Sequence, residues 1–91
     1  MTGPAMLEVV LYGQPGCHLC EDAESALEEM RRARPFALRI VDINSDDDLL
    51  RRYCFEIPVI EVDGVVVTRA PVDLNAVSAA LDGTGAVEGR G

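Results

Sequence analysis

The sequence has 91 residues, enough for one domain and too few for two, and 48% of them are hydrophobic, which suffices for a single core. Sixteen acidic residues stand against eight basic ones, all of them arginine, so the formal net charge is −8. Nucleic acids and anionic membranes bind through basic patches, so this balance predicts neither kind of partner.

The N-terminus and the cysteine count bear on the cellular compartment. Residues 1–5 contain no basic residue, and the apolar run at residues 6–12 is short and contains Glu8, so neither a signal peptide nor a membrane span is expected. Three cysteines cannot pair evenly, unlike those of a secreted disulfide framework. We therefore expect a cytoplasmic protein, in which two neighbouring cysteines indicate redox chemistry or metal binding.

The first half of the chain predicts a strand, a helix and a second strand. Residues 6–12 are apolar and β-branched, which is typical of a buried strand, and Gly13 ends it. A helix begins at Cys17 or two residues later, with acidic residues in its early turns and arginines in its last, and Pro35 ends it. Its apolar residues at helical spacing are Leu19, Ala23, Ala26, Leu27 and Met30. Residues 36–43 predict the second strand.

A run of acidic residues follows the second strand. Residues 45–48 read Ser-Asp-Asp-Asp, and Ser45 or Asn44 is predicted to cap a second helix that extends to about Tyr53, because the first turn of a helix favours negative charge. The alternating ligands, the glycine and the final glutamate of an EF-hand loop are absent, so we do not expect a calcium site here.

The last third of the chain predicts a hairpin and a helix. Residues 57–62 form a strand opened by a proline, and the Asp-Gly pair at residues 63–64 is a two-residue hairpin signal that leads into a strand at residues 65–68. Gly83 ends the final helix, and residues 84–91 are expected to form a frayed tail. The apolar stripe of that helix comprises Leu74, Val77, Ala80 and Leu81.

The predicted order is therefore β-α-β-α-β-β-α, which places the chain in the α/β class. We expect a single domain over residues 1–91, with a core at about residues 6–82 and a four-stranded mixed sheet flanked by helices. The first β-α-β unit should form a right-handed parallel crossover, and the hairpin should add antiparallel strands beside it.

Cys17 and Cys20 lie where the first strand gives way to the first helix. Free amide N–H groups and the positive end of the helix dipole stabilise a thiolate there, so we expect the pKa of the Cys17 thiol to lie below its ordinary value of about 8.5. Cys20 is three residues further on and faces the same side of the helix, from which it can attack a mixed disulfide formed at Cys17.

The neighbouring residues leave alternatives open. A protonated His18 would favour the thiolate and Glu21 and Asp22 would oppose it, although a lone exposed histidine is more often a solvated side chain than an acid–base catalyst. Zinc needs four ligands, and one cysteine pair with His18 and the distant Cys54 does not supply a usual set, so no metal site is expected. Cys54 is interpreted as a buried structural cysteine in preference to a second redox centre.

These features together resemble the thioredoxin superfamily in its short glutaredoxin-like form, and in particular compact bacterial glutaredoxin-like proteins. The resemblance rests on the C-x-x-C motif after a strand, the two-helix spacing and Ile57-Pro58 ahead of a hairpin. It implies that Cys17 is the attacking cysteine and Cys20 the resolving one. It also implies that Pro58 is the family's cis-proline beside the pair, and that backbone groups of Ile57 are free to pair with an extended substrate.

The sequence departs from the family pattern at the glutathione site. Glutaredoxins usually carry a basic residue, for a glutathione carboxylate, where this chain has Gln14. They also have two glycines before an aspartate that holds the other end of glutathione, whereas residues 68–73 contain no glycine. Arg69 is the candidate for the missing basic residue, and Asp73 is the candidate for the aspartate. Leu11 occupies the place of the buried acid that thioredoxins have near the resolving cysteine.

Three functions remain as hypotheses. The first is a monomeric dithiol–disulfide oxidoreductase that acts on protein or small-molecule disulfides and is recycled by a separate reductant. It requires no cofactor, and the altered glutathione site disfavours glutathione as one. The second is a non-catalytic adaptor that docks partners at the Pro58 surface. The third is an iron–sulfur protein in which Cys17 and a thiol cofactor hold a cluster across a dimer, which the presence of Cys20 and the altered glutathione site disfavour.

Overall fold

Seven regular elements follow one another in the predicted order, with one added 3-10 turn. The structure is a computed structural model that describes residues 7–82. The elements are β1 (Glu8–Gly13), α1 (His18–Ala33), β2 (Ala37–Asp42), the 3-10 turn (Ile43–Ser45), α2 (Asp47–Tyr53), β3 (Val59–Val62), β4 (Val65–Thr68) and α3 (Leu74–Leu81). Met6, Gly83 and the tail at residues 84–91, on which predictions were made above, lie outside the described residues.

The four strands form one mixed sheet in the order β2-β1-β3-β4. β1 is parallel to β2, as a strand–helix–strand unit requires, and β3 is antiparallel to both β1 and β4. This mixed sheet with its three α-helices confirms the thioredoxin-like fold. Among residues 7–82, no helix is long and apolar enough to cross a bilayer.

The central strand β1 is buried on both faces, and its alternating side chains build two separate core clusters. Val9 and Leu11 pack with α1 and α3 on one face of the sheet, whereas Val10 and Tyr12 pack with α2 on the other. A strand that is covered on both sides reads as a continuous apolar run, which is the pattern of β1. Because only four residues separate β1 from α1, this burial fixes the position of the first turn of α1.

The hairpin between β3 and β4 has the predicted two-residue loop. Asp63 and Gly64 both have positive φ, 51° and 85°, and Val62 pairs with Val65 across the turn. Positive φ at both central positions matches the right-handed twist of the strands, and Asp-Gly adopts it at low cost.

β3 begins at Val59, two residues later than predicted. The first pair in its ladder with β1 joins Tyr12 to Val59. Pro58 has no N–H to donate to a neighbouring strand, so regular pairing starts only after it.

The cap of α2 corrects the sequence prediction. The carboxylate of Asp46, not a side chain of Ser45 or Asn44, accepts hydrogen bonds from the first amides of α2, the nearer from Asp48 N at 2.8 Å. Asn44 and Ser45, the two residues predicted to cap α2, are instead bonded to Asp42 in the preceding 3-10 turn. The carboxylate of Asp42 accepts a hydrogen bond from Asn44 N at 2.9 Å, and its carbonyl accepts one from Ser45 Oγ. The helix therefore starts only after that turn.

Candidate active site at Cys17 and Cys20

The loop between β1 and α1 delivers Cys17 to the start of the helix. Gly16 has a φ of 80°, a left-handed conformation that glycine adopts without strain, and the amide of Cys17 donates to the carbonyl of Gln14 at 3.3 Å. Cys17 is the N-cap of α1, and its Sγ accepts a hydrogen bond from Cys20 N at 3.1 Å. One of the unpaired amides at the helix start therefore points at this sulfur.

The two sulfur atoms lie at disulfide distance, and the Cα atoms of Cys17 and Cys20 are 5.2 Å apart, within the normal range for a bridge. Cys17 is half-buried, whereas Cys20 is buried and only 7% exposed. A partner approaching from solvent thus meets the sulfur of Cys17 first, and Cys20 stands behind it.

Gly13 makes room for Cys20. A Cβ atom at position 13 would lie 2.8 Å from Cys20 Sγ and 2.9 Å from Cys20 Cβ, closer than real Cβ contacts. The sequence pattern treats Gly13 only as the end of a strand, but the residue is paired with Asp42 inside the sheet. Its second role depends on a contact seven residues away that no local pattern contains.

A first groove opens on the β2 side of the disulfide, and we call it the acidic groove. It has a volume of about 330 Å³ and lies between the start of α1 and the edge strand β2. Cys20 lines it, so this buried residue borders a solvent-connected space. Three carboxylates and two uncharged residues also line it: Glu21, Glu24, Asp42, Gln14 and Ile40.

A second groove, the apolar groove, opens on the opposite side of α1 and has a volume of about 160 Å³. Leu19, which is 61% exposed, and Leu74, which is 38% exposed, form its walls with Pro58, and Asp22 lies at its edge. Helical spacing assigns both leucines to the buried stripes. They lie instead in the first turns of α1 and α3, ahead of the buried part of each stripe, and present apolar surface beside the disulfide.

Pro58 and Ile57 lie beside this groove. The side chain of Pro58 is buried, and the Ile57–Pro58 peptide bond is cis, as is the bond between Ala70 and Pro71. The N–H of Ile57 donates to the carbonyl of Tyr53 at 3.1 Å. This corrects the expectation for one of the two backbone groups of Ile57, because its N–H already has a partner.

The three candidate residues for glutathione do not come together. Gln14 lines the acidic groove, but neither Arg69 nor Asp73 lines either groove. Arg69 Nε forms an ion pair with Glu56 at 2.6 Å. The carboxylate of Asp73 caps α3, where it accepts a hydrogen bond from Asn75 N at 2.9 Å. Both side chains thus have partners inside the fold.

His18 and Cys54 lie outside the two grooves. The His18 side chain is 95% exposed, with Nδ1 3.8 Å from Glu21 Oε1. Cys54 is a free, half-buried thiol at the end of α2 that packs against the core cluster containing Tyr12 and Tyr53. In the part of the chain that is described, no three His, Cys, Asp or Glu side chains are grouped so as to hold a metal ion.

Tyr12 is the residue before Gly13, and the pKa of its phenol is raised. Burial raises the pKa of the Tyr12 phenol, and the carboxylate of Glu61, which is charged and hydrogen-bonded to it, raises the pKa further. The ring lies 5.1 Å from that of Tyr53. Tyr12 therefore stays neutral at physiological pH and serves the core beneath the site.

The model of one protein family, the Glutaredoxin-like domain (DUF836), matches residues 8–82. The chain belongs to this glutaredoxin-like family. The match spans every element from β1 to α3 and includes the Cys17–Cys20 pair, which fits a redox role. No curated protein sequence matches the chain.

Solved structures share the fold of this glutaredoxin-like domain. Protein Ne2328 from Nitrosomonas europaea superimposes with a TM-score of 0.77 at 25% identity, over 89% of this chain and 98% of that one. SA0789 from Staphylococcus aureus, a protein of unknown function, gives 0.69 at 18% identity over 91% and 94%. A chain from a study of thiol resolution in yeast mitochondrial 1-Cys peroxiredoxin gives 0.65 at 14% identity over 87% and 79%.

We predict that Gly13→Ala displaces Cys20 and destabilises the domain by about 1–3 kcal/mol, the usual cost of overpacking. Urea unfolding of the oxidised protein measures the loss. In a Cys20→Ala background, compared under the same reduced conditions, the substitution should cost less, because the contact to Sγ is gone. An equal cost in both backgrounds would show that the contact with Cys20 Sγ is not the cause of the loss.

Proposed function

We propose that this glutaredoxin-like domain is a dithiol–disulfide oxidoreductase in which Cys17 attacks a substrate disulfide and Cys20 resolves the mixed disulfide. The observation that carries the proposal is the pair of sulfurs at disulfide distance on the first turn of α1, with the outer one accessible. Substrates in this scheme are protein or small-molecule disulfides, and a separate reductant recycles the pair. The domain works as a monomer in the cytosol, without a cofactor.

The proposed reaction has two exchange steps. The Cys17 thiolate attacks one sulfur of the substrate disulfide, forms a bond to it, and releases the other substrate sulfur as a thiolate that takes up a proton. Cys20 loses its proton, attacks Cys17 Sγ, forms the internal disulfide and expels the second substrate thiolate. The substrate is reduced by two electrons and the protein dithiol is oxidised by the same two.

The start of α1 supports the role of Cys17 as the nucleophile. In the dithiol form, the amide of Cys20 that donates to Cys17 Sγ and the aligned helix dipole both stabilise a negative charge on this sulfur. Cys20 has no equivalent position, since it lies inside the first turn and is buried. The acidic groove gives the thiol of Cys20 a route for its proton to solvent. Such a route is needed because Leu11 stands where thioredoxins have a buried acid near the resolving cysteine.

The apolar groove supports an extended polypeptide as one class of substrate. Leu19, which precedes Cys20 in the sequence, and Leu74 expose apolar surface in this groove, and burying that surface under a bound chain is favourable. The same surface supports the second candidate function, an adaptor that docks partners at Pro58 without exchanging disulfides. The two functions differ in what happens to the sulfurs, so trapping experiments separate them.

We predict that Cys20→Ser accumulates a covalent Cys17–substrate disulfide, because nothing remains to resolve it, whereas Cys17→Ser gives no adduct and no turnover. Mass spectrometry after mixing with 2-hydroxyethyl disulfide detects the adduct. Cys54→Ser is the matched control and should behave like the parent protein, since Cys54 is a free cysteine that lines neither groove. Absence of an adduct in Cys20→Ser would favour the adaptor.

We predict that the Cys17 thiol titrates below the ordinary cysteine pKa of about 8.5 in the reduced protein. Its thiolate fraction, and hence its rate of alkylation by iodoacetamide, should reach half-maximum at a pH below that value. The measurement uses the Cys54→Ser variant with peptide mapping, so that only Cys17 and Cys20 compete. A half-maximum at or above 8.5 would contradict the stabilisation of a thiolate by the start of α1.

We predict that Leu19→Ser lowers the second-order rate with a disulfide-bonded peptide about five- to tenfold, because about 1 kcal/mol of apolar contact is lost. The rate with 2-hydroxyethyl disulfide, which is too small to span the groove, should not change. Val65→Ser is the control, because Val65 is 63% exposed and lies on β4 outside both grooves. A uniform effect on both substrates would remove the groove from the proposal.

A further inference from the structure

Four carboxylates line the two grooves at the start of α1. Glu21, Glu24 and Asp42 line the acidic groove together with Cys20, and Asp22 lines the apolar groove. The chain contains no lysine, and no arginine from residues 7–82 lines either groove. The approach to the reacting sulfurs therefore passes between negatively charged side chains on both sides.

The cations of the described chain do not offset this charge. Six of the seven arginines in residues 7–82 form ion pairs with carboxylates, and the seventh, Arg52, lies over the ring of Tyr53 at 5.2 Å. Arg69, the cation expected to meet a glutathione carboxylate, is paired with Glu56. The other five ion-paired arginines are Arg31, Arg32, Arg34, Arg39 and Arg51.

The carboxylates near the disulfide are, by contrast, largely uncompensated. Within the described residues, no arginine pairs with Asp22 or Glu24, and Glu21 has only the imidazole of His18 nearby. Asp42 accepts a backbone amide, which leaves its charge in place. With a formal net charge of −8 for the chain, the potential at the two grooves is negative.

A negative potential at a reacting centre sorts substrates by charge. Glutathione disulfide carries more carboxylates than ammonium groups and is a net anion at neutral pH, so its approach is opposed. A disulfide flanked by arginines or lysines is attracted instead. Such steering changes association rates by roughly 10- to 1,000-fold and weakens as salt is added, because the screening length falls to about 8 Å at physiological ionic strength.

We infer that the Cys17–Cys20 pair selects its substrates by charge, and that its substrates are disulfides within cationic polypeptide segments and not glutathione disulfide. The inference rests on the proposed function, because it names the substrate class of that reaction. The acidic groove and Asp22 supply the discrimination, and the apolar groove supplies contact for the chain that carries the disulfide.

The test compares two short peptides, each closed by one internal disulfide, that differ only in flanking arginines or flanking glutamates. The reduced protein is mixed with excess oxidised peptide, and formation of the Cys17–Cys20 disulfide, with release of the peptide dithiol, is followed by acid quench and mass spectrometry. The same peptides are reacted with dithiothreitol. Dividing the protein's rate ratio by the dithiothreitol ratio removes the difference in intrinsic reactivity between the two peptides.

The normalised ratio should favour the arginine peptide by about tenfold at low ionic strength and fall towards one in about 0.5 M salt. The double variant Asp22→Asn with Glu24→Gln should lower the ratio about threefold. The double variant Glu28→Gln with Glu29→Gln is the matched control, since it removes the same charge from the same helix about 8 Å further along. It should lower the ratio by a clearly smaller factor, because Glu28 and Glu29 lie further from the two sulfurs.

The outcomes separate this inference from the proposed function. A normalised ratio near one at low salt, or an equal loss in both double variants, would overturn charge selection by the two grooves. Normal oxidation by neutral 2-hydroxyethyl disulfide in the same experiment would leave the proposed function standing. If neither peptide nor the neutral disulfide oxidises the dithiol, the proposed function falls, and the selectivity falls with it.

Discussion

The contact between Cys17 Sγ and the amide of Cys20 is the interaction on which the site depends. It exists because Cys17 is the N-cap of α1, the position where the chain has unpaired amides to offer. A cysteine sulfur replaces the usual oxygen of a serine or aspartate cap. In the proposed reaction, the residue that starts the helix is therefore also the nucleophile, so local folding and chemistry cannot be varied independently at this position.

The sheet determines where that helix starts. β1 is the central strand with apolar side chains on both faces, and it is bonded to β2 and β3. Its last residue, Gly13, is still paired with Asp42, and the absence of a side chain there leaves room for the side chain of Cys20. The site is thus attached to the central, buried strand of the domain, and α1, which follows that strand, lines both grooves. Rigid support of this kind keeps two sulfurs within reach without burying the outer one.

The elements that depend on local pattern could be predicted from the sequence, whereas contacts between distant residues could not. The apolar run of β1 and the Asp63-Gly64 turn are local signals, and the family motif is carried by a handful of positions. The predicted cap of α2 was wrong because several consecutive residues have side chains that can cap a helix. The preceding 3-10 turn leaves Asp46 in the cap position. Helical spacing shows which residues share a face, but not that Leu19 lies beyond the buried part of that face.

The acidic residues at the start of α1 act on two length scales. Glu21 and its neighbours favour the helix through its dipole, yet they oppose a negative charge on Cys17. The amide of Cys20 acts at 3.1 Å, where salt has little effect, while carboxylates further away act through solvent and are screened within about a Debye length. A short-range hydrogen bond can therefore keep the nucleophile ionised while the longer-range field governs which disulfides arrive. Under the proposed function, reactivity and selectivity should therefore respond differently to ionic strength, because separate groups control them.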